Sequence, residues 1–142
     1  MDKTKDNLKI ENRCQSPEAE YIEMAKEYIN QGKYEEAKDQ LNKALQINPL
    51  SDTACFELGN MALRTGDDIS AEQEYKKSLA LNPQLFYATL ELGKLYHYRM
   101  KRIDLAIKEF DHVVKESPWH WEAYYELGII HKQKGNRGTA IK

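Results

Sequence analysis

The chain has 142 residues, of which 41% are hydrophobic and 31% charged, and its formal net charge is −2. This length allows one domain with a sizeable core, and the composition is typical of a folded globular protein rather than a disordered one. A net charge so close to zero provides no overall attraction to nucleic acid or to an anionic membrane. Composition therefore argues against both as partners.

The first 17 residues are predicted to form a flexible polar tail. Leu8 and Ile10 stand alone among polar neighbours, so the tail lacks the continuous apolar stretch of a secretory signal. No part of the sequence holds the ~20 consecutive apolar residues that a membrane helix needs, and a cytoplasmic location is expected. Cys14 and Cys55 lie in unlike settings and are interpreted as free thiols.

From residue 18 onward, the sequence repeats itself at intervals of 34 or 35 residues. Two kinds of dipeptide recur at this spacing: Asn-Pro at 48–49 and 82–83 with Ser-Pro at 117–118, and Leu-Gly at 58–59, 92–93 and 127–128. Such a period is typical of supersecondary units that stack on their neighbours. We predict four units, at residues 18–51, 52–85, 86–120 and 121–142, the last of them truncated.

Each unit is predicted to contain two helices. The first helix carries a stripe of residues at i, i+3, i+4 and i+7, which is the period of an amphipathic helix. The four stripes are Tyr21, Met24, Ala25 and Tyr28; Cys55, Leu58, Gly59 and Ala62; Thr89, Leu92, Gly93 and Tyr96; and Tyr124, Leu127, Gly128 and His131. A small residue in each stripe allows the second helix to approach closely. The second helices carry Ala37, Leu41 and Ala44; Ala71, Tyr75 and Ser78; and Ala106, Phe110 and Val113.

A glycine is expected to separate the two helices of a unit, because glycine adopts the left-handed conformation that ends a helix. Gly32, Gly66 and Gly135 occupy this position. Unit three is one residue longer and has Met100-Lys101 at its turn, where we expect the extra residue to relax the backbone.

The truncated fourth unit leads to a second expectation. It contains only a few residues of its second helix, so the apolar side of its first helix, near Ile129 and Ile130, should lack a partner. Solenoids normally finish with a polar capping helix. We therefore expect either a fragment of a longer protein or a molecule that covers this end, including self-association through it.

These offsets resemble the tetratricopeptide repeat. Unit one matches the family pattern at positions 4, 7, 8, 11, 15, 20, 24, 27 and 32 with Tyr21, Met24, Ala25, Tyr28, Gly32, Ala37, Leu41, Ala44 and Pro49. The resemblance covers about residues 18–142. It implies an all-α fold, a right-handed superhelical solenoid of antiparallel helix pairs, whose first helices line a concave groove that binds a peptide or helix of a partner protein.

Groove positions that the resemblance implies hold the predicted partner-binding residues: Glu23, Lys26, Phe56, Glu57, Asn60, Arg64, Tyr87, Glu91, Lys94, Tyr98, Tyr125 and Glu126. Position 6 is glutamate in all four units, which predicts a row of carboxylates for Lys or Arg side chains of the partner. Alternatively, glutamate is there as a good helix former, and Lys26 and Lys94 neutralise Glu23 and Glu91 within the helix.

Three further sequence features bear on what the chain could bind. The clamp that holds a chaperone's C-terminal carboxylate in some family members is absent, since its positions hold Ile22, Lys26, Glu57, Tyr87 and Glu91. Phe56, Tyr87, Tyr98 and Tyr125 are expected to project towards the groove, where they either anchor the partner or cover neighbouring units. The run Trp119-His120-Trp121 is expected to pack between units three and four.

The sequence contains no recognisable catalytic, phosphate-binding or metal-binding motif. It has no Gly-rich phosphate loop, His-Glu-x-x-His helix or Cys-x-x-Cys pair, and its four histidines lack metal-site spacing. We expect no catalytic residue, no metal and no cofactor. The sequence predicts a protein-interaction scaffold, or alternatively a regulatory or substrate-docking module of a larger enzyme. Binding of RNA is disfavoured because the groove positions hold five acidic and four basic residues.

Overall fold

The computed structural model describes the backbone of residues 16–140 and the side chains of residues 16–135. Seven α-helices follow in order: α1 (Ala19–Asn30), α2 (Tyr34–Ile47), α3 (Asp52–Arg64), α4 (Asp68–Leu81), α5 (Phe86–Lys94), α6 (Ile103–Glu116) and α7 (Trp121–Ala140). A π-helical turn, Leu95–Arg99, continues α5. No strand occurs within residues 16–140. The predicted all-α solenoid of antiparallel helix pairs is confirmed.

The helices pack in pairs, α1 with α2, α3 with α4 and α5 with α6, and each pair contacts the next. In the second helix of each of units one to three, the largest fully buried side chain lies at the same position of the repeat. These residues are Leu41, Tyr75 and Phe110. A Cβ atom added to Gly59 would lie 2.7 Å from Cδ1 of Tyr75, and one added to Gly93 would lie 2.7 Å from Cε1 of Phe110. The Leu-Gly glycines therefore allow the close helix approach that the repeat predicts.

The asparagine of each Asn-Pro dipeptide joins the end of a helix pair to its beginning. Nδ2 of Asn48 donates to Oε1 of Glu18 at 2.9 Å, and Nδ2 of Asn82 donates to Oδ2 of Asp52 at 2.7 Å. Oδ1 of each asparagine accepts from the backbone N–H two residues later, at 3.1 Å. Asparagine favours such turns because its side chain bonds the nearby backbone.

The turn of unit three corrects one prediction. Gly32 and Gly66 end α1 and α3 with φ of 77° and 85°, and Lys101 takes the same left-handed conformation with φ of 57°. The extra residue does not relax this turn, because the chain inserts it one turn earlier, in the π-helical segment Leu95–Arg99. A π-helical turn accommodates one more residue than an α-helical turn, because its hydrogen bonds join residues five positions apart.

We expect Lys101→Gly to raise the free energy of unfolding by about 1 kcal/mol, because a side chain in left-handed geometry costs about that much. Urea unfolding followed by circular dichroism measures the change. Lys101→Ala is the matched control: it removes the lysine but keeps the Cβ atom, so it should give no such gain. Equal midpoints for Lys101→Gly and Lys101→Ala would contradict the backbone explanation.

The prediction of a turn at Gly135 is wrong, because helix α7 continues without a break to Ala140. A glycine inside a helix costs only about 1 kcal/mol relative to alanine. Breaking the helix there would give up backbone hydrogen bonds, and no helix follows within residues 16–140 that could offset them by packing.

The uncovered side of α7 also differs from the prediction. Ile130 is buried in the core together with Leu127, and Ile129 is half-buried. The exposed side carries Tyr124, Gly128 and His131 instead. Tyr124 and His131, two members of the predicted stripe, are thus exposed.

The remaining predictions about the tail and the thiols are tested only in part. Residues 1–15 of the predicted tail, including Cys14, lie outside the described residues. Cys55 is a free cysteine buried in α3, and burial raises the pKa of its thiol. None of the helices within residues 16–140 has both the length and the apolar character to span a bilayer.

Candidate functional site

A pocket of about 410 Å³ lies where α1, α3 and α5 meet, and we call it the groove pocket. Its lining residues are Lys26, Ile29, Asn30, Glu57, Asn60, Leu63, Arg64 and Glu91. Five of the residues predicted from the sequence thus come together here: Lys26, Glu57, Asn60, Arg64 and Glu91. Stacking of first helices produces this arrangement, because it brings equivalent faces of three units side by side.

Glu57 is the buried acid of the groove pocket, with a relative exposure of 6%. Nδ2 of Asn60 donates to Oε2 of Glu57 at 3.4 Å, and Oδ1 of Asn60 accepts from the Tyr75 hydroxyl at 2.6 Å. The tyrosine therefore orients the amide so that its N–H group faces the carboxylate. Burial raises the pKa of Glu57, and the Asn60 hydrogen bond and the charge of Lys26 oppose this rise.

The four position-6 glutamates differ in their partners. Glu23 pairs with Lys26 at 3.0 Å, and Glu91 pairs with Lys94 at 3.5 Å, so the predicted neutralisation within a helix is present. Lys94 also lies 3.7 Å from Glu122 of α7.

The two remaining position-6 glutamates are both buried. Glu126 accepts a hydrogen bond of 2.7 Å from the Tyr98 hydroxyl. Glu57 accepts the longer bond from Asn60. Of the four carboxylates, Glu57 thus combines burial, a raised pKa and a position on an open pocket.

The predicted groove aromatics are not equivalent. Phe56 is half-buried, packs on the core and lies 5.8 Å from the ring of Tyr75, which favours the alternative that it has a packing role. Tyr87 and Tyr125 are 65% and 61% exposed. Tyr98 is also exposed, and desolvation together with its hydrogen bond to Glu126 raises its pKa to about 12.

The junction between α6 and α7 also differs from the sequence prediction. Only His120 of the Trp119-His120-Trp121 run packs as predicted, at 5.7 Å from the ring of Phe86 and 6.3 Å from that of Tyr87. The two tryptophans are 79% and 69% exposed. Nothing in the local sequence separates the histidine from its neighbours.

A second polar cluster, not singled out from the sequence, lies at the π-helical turn. His97 is buried, its Nε2 lies 3.0 Å from Oε1 of Gln133, and its ring lies 4.2 Å from the ring of Tyr98. The additional residue of unit three was the available signal, since it is the residue that the π-helical turn absorbs. Within the described residues, no group of three or more His, Cys, Asp or Glu side chains could hold a metal ion.

Comparison with known proteins agrees with this geometry. The family model described as tetratricopeptide repeat matches residues 22–86. No curated protein sequence matches the chain at a significant level.

Among solved structures, MamA is 23% identical with a TM-score of 0.73, over 94% of this chain and 78% of that one. The first repeat domain of Spaghetti (RPAP3), bound to the HSP90 peptide SRMEEVD, is 24% identical with a TM-score of 0.73, over 83% and 93%. Pseudomonas aeruginosa PilF is 26% identical with a TM-score of 0.74, over 83% and 54%. Residues 22–86 thus match the tetratricopeptide repeat, and the solved structures share the fold of stacked helix pairs over most of the chain.

Proposed function

We propose that the chain is a cytoplasmic protein-interaction scaffold that holds a peptide or helix of a partner protein along its groove. In this proposal the groove pocket accepts a Lys or Arg side chain of the partner, and the chain performs no catalysis. An affinity near micromolar, about 8 kcal/mol, would suit a reversible adaptor. The observation that carries the proposal is the buried carboxylate of Glu57 on an open pocket.

Burial penalises the charged form of Glu57, and the nearby charges of Lys26 and Arg64 offset this penalty only in part, since the pKa of Glu57 is still raised. A cationic side chain that enters the groove pocket would relieve this penalty and form a charge-assisted hydrogen bond. Glu91 lines the same pocket and adds a second carboxylate. Lys26 pairs with Glu23 at 3.0 Å, so its charge is shared between Glu23 and Glu57.

Lys26 and Arg64 also line the groove pocket, so the support for a basic partner comes from its two carboxylates, Glu57 and Glu91. The Spaghetti domain is a neighbour in fold that holds the acidic peptide SRMEEVD. Two of the clamp positions implied by the family resemblance hold Glu57 and Glu91 in this chain. A peptide carboxylate would meet like charge there, and like charges destabilise a complex.

A random peptide library selected on the immobilised chain tests the proposal. We expect the selected peptides to be enriched in Lys and Arg. The double variant Glu57→Gln/Glu91→Gln should bind them about 10- to 100-fold more weakly, since hydrogen bonds to charged groups contribute about 1.5–3 kcal/mol. Isothermal titration calorimetry with the best synthetic peptide gives the affinities.

Glu36→Gln is the matched control, because Glu36 is exposed on α2, away from the groove pocket. Affinity for the wild-type chain should also fall as the pH drops towards the raised pKa of Glu57, since a protonated carboxyl no longer attracts the cation. The double variant should lose this pH dependence. Selected peptides without basic enrichment, or equal affinity for the double variant, would refute the proposal.

A further inference from the structure

We propose that Asn60 makes unit two the cation-binding unit of the groove, so that the partner is recognised by one basic side chain rather than by a polybasic segment. This inference rests on the proposed function and deepens it. The residue three positions after each position-6 glutamate, which we call the position-9 residue, differs between the units. These residues are Lys26, Asn60, Lys94 and Ile129.

In units one and three, the position-9 residue is a lysine that pairs with the glutamate of its own helix. Nζ of Lys26 lies 3.0 Å from Oε1 of Glu23, and Nζ of Lys94 lies 3.5 Å from Oε1 of Glu91. Side chains three positions apart are neighbours on a helix surface, which favours such pairs. A basic side chain of the partner would therefore have to compete with a cation that is already in place.

In unit four, the position-9 residue is the apolar Ile129, and the glutamate is engaged from the neighbouring unit. Glu126 accepts a hydrogen bond of 2.7 Å from the Tyr98 hydroxyl. Glu126 also lies outside the lining of the groove pocket. This carboxylate is therefore not available to a ligand in that pocket.

Unit two combines a glutamate on the groove pocket with an uncharged position-9 residue. Nδ2 of Asn60 lies 3.4 Å from Oε2 of Glu57, and Glu57 takes part in none of the ion pairs found among residues 16–135. Units one and three lie on either side, so the surroundings of Glu57 are complete within the described chain. Glu57 is thus the carboxylate of the groove pocket that lacks an ion pair.

The two cations that line the groove pocket have their direct contacts with other residues. Lys26 pairs with Glu23, and Nη2 of Arg64 donates to Oδ1 of Asn30 at 3.5 Å. Their charges lower the pKa of Glu57, but burial raises it by more. An additional cation is therefore favoured most at Glu57.

The interior of unit two supports an asparagine at position 9. The Tyr75 hydroxyl donates to Oδ1 of Asn60 at 2.6 Å, and a lysine side chain has no acceptor that could replace this oxygen. The residues equivalent to Tyr75 in units one and three are Leu41 and Phe110, which have no hydroxyl group. Among these three units, the interior hydroxyl and the position-9 amide thus occur together.

The double variant Asn60→Lys/Tyr75→Phe gives unit two the arrangement of unit three and tests the proposal. The probes are the best peptide selected on the wild-type chain and the same peptide with glutamine in place of its basic residue. The wild-type chain should bind the basic peptide about 10-fold or more tightly than its glutamine analogue, whereas the double variant should lose this preference. The new lysine would pair with Glu57 and repel the cation of the peptide. Isothermal titration calorimetry measures the affinities.

Tyr75→Phe alone and Asn42→Lys are the matched controls. Tyr75→Phe removes the same hydroxyl without adding a charge, so it should retain more of the preference than the double variant does. Asn42→Lys makes the same exchange at an exposed site of α2, outside the groove pocket, and should leave the preference unchanged. Circular dichroism confirms that each variant is folded.

Lys94→Asn makes the opposite change in unit three, because it removes the cation from Glu91. Peptides selected on this variant should carry a second enriched basic position, whereas those selected on the wild-type chain should carry one. An undiminished preference in Asn60→Lys/Tyr75→Phe, or no second basic position with Lys94→Asn, would overturn this inference alone. A wild-type chain that selects no basic peptide, or binds the glutamine analogue equally well, would overturn the proposed function and this inference with it.

Discussion

Replacing Phe110 by alanine will lower the free energy of unfolding by about 3–5 kcal/mol, the usual cost of removing a buried aromatic side chain. Phe110 is fully buried and belongs to the core shared by α3 to α7. Its ring lies directly on Gly93, which has no side chain that could move into the space left behind. A loss of this size is a large part of the roughly 5–15 kcal/mol that stabilises a typical domain.

Urea unfolding monitored by circular dichroism will measure this loss. Trp119→Ala is the control: it also removes an aromatic residue, but one that is 79% exposed. Its effect should stay within about 0.5 kcal/mol, as for most surface substitutions. Similar losses for Phe110→Ala and Trp119→Ala would show that the core does not lie where the structure places it.

Glycine-to-alanine substitutions will have opposite effects in different units. Gly59→Ala should lower the free energy of unfolding by about 1–3 kcal/mol, because overpacking a core displaces its neighbours. The new Cβ atom would meet the ring of Tyr75 at 2.7 Å, and this ring is held by burial and by its hydrogen bond to Asn60. Gly128→Ala should instead raise the free energy of unfolding by about 1 kcal/mol, since alanine is the better helix former.

The two glycine variants control each other, because the chemical change is the same and only the covering ring differs. Destabilisation by Gly128→Ala as large as that by Gly59→Ala would mean that a ring covers α7 as well.

Much of the fold could be predicted because its signals are local. The helix period, the recurring Asn-Pro and the Leu-Gly pairs each depend on residues within one unit, and the structure confirms the helix pairs that they predict. The close approach at Gly59 and Gly93 follows from the same pattern. Repetition strengthens such signals, because the same residue spacing recurs in each unit and each occurrence supports the same helix pair.

Other features could not be predicted, because they depend on small energy differences or on neighbouring units. An inserted residue costs little in either a loop or a π-bulge, so the length of unit three did not determine where the backbone absorbs it. The four position-6 glutamates are equivalent in the repeat, yet Glu57 and Glu126 are buried and the other two are not, because each has different neighbours. The continuation of α7 past Gly135 reflects the absence of a packing helix among the described residues.

The chain of contacts from Tyr75 through Asn60 to Glu57 links the interior to the binding surface. Unit three has phenylalanine at the position equivalent to Tyr75. A tyrosine-to-phenylalanine exchange in unit two would keep the interior filled but release the amide of Asn60 to rotate. Ligand preference in this protein could thus diverge through an internal residue that no ligand touches, while the exterior stays the same.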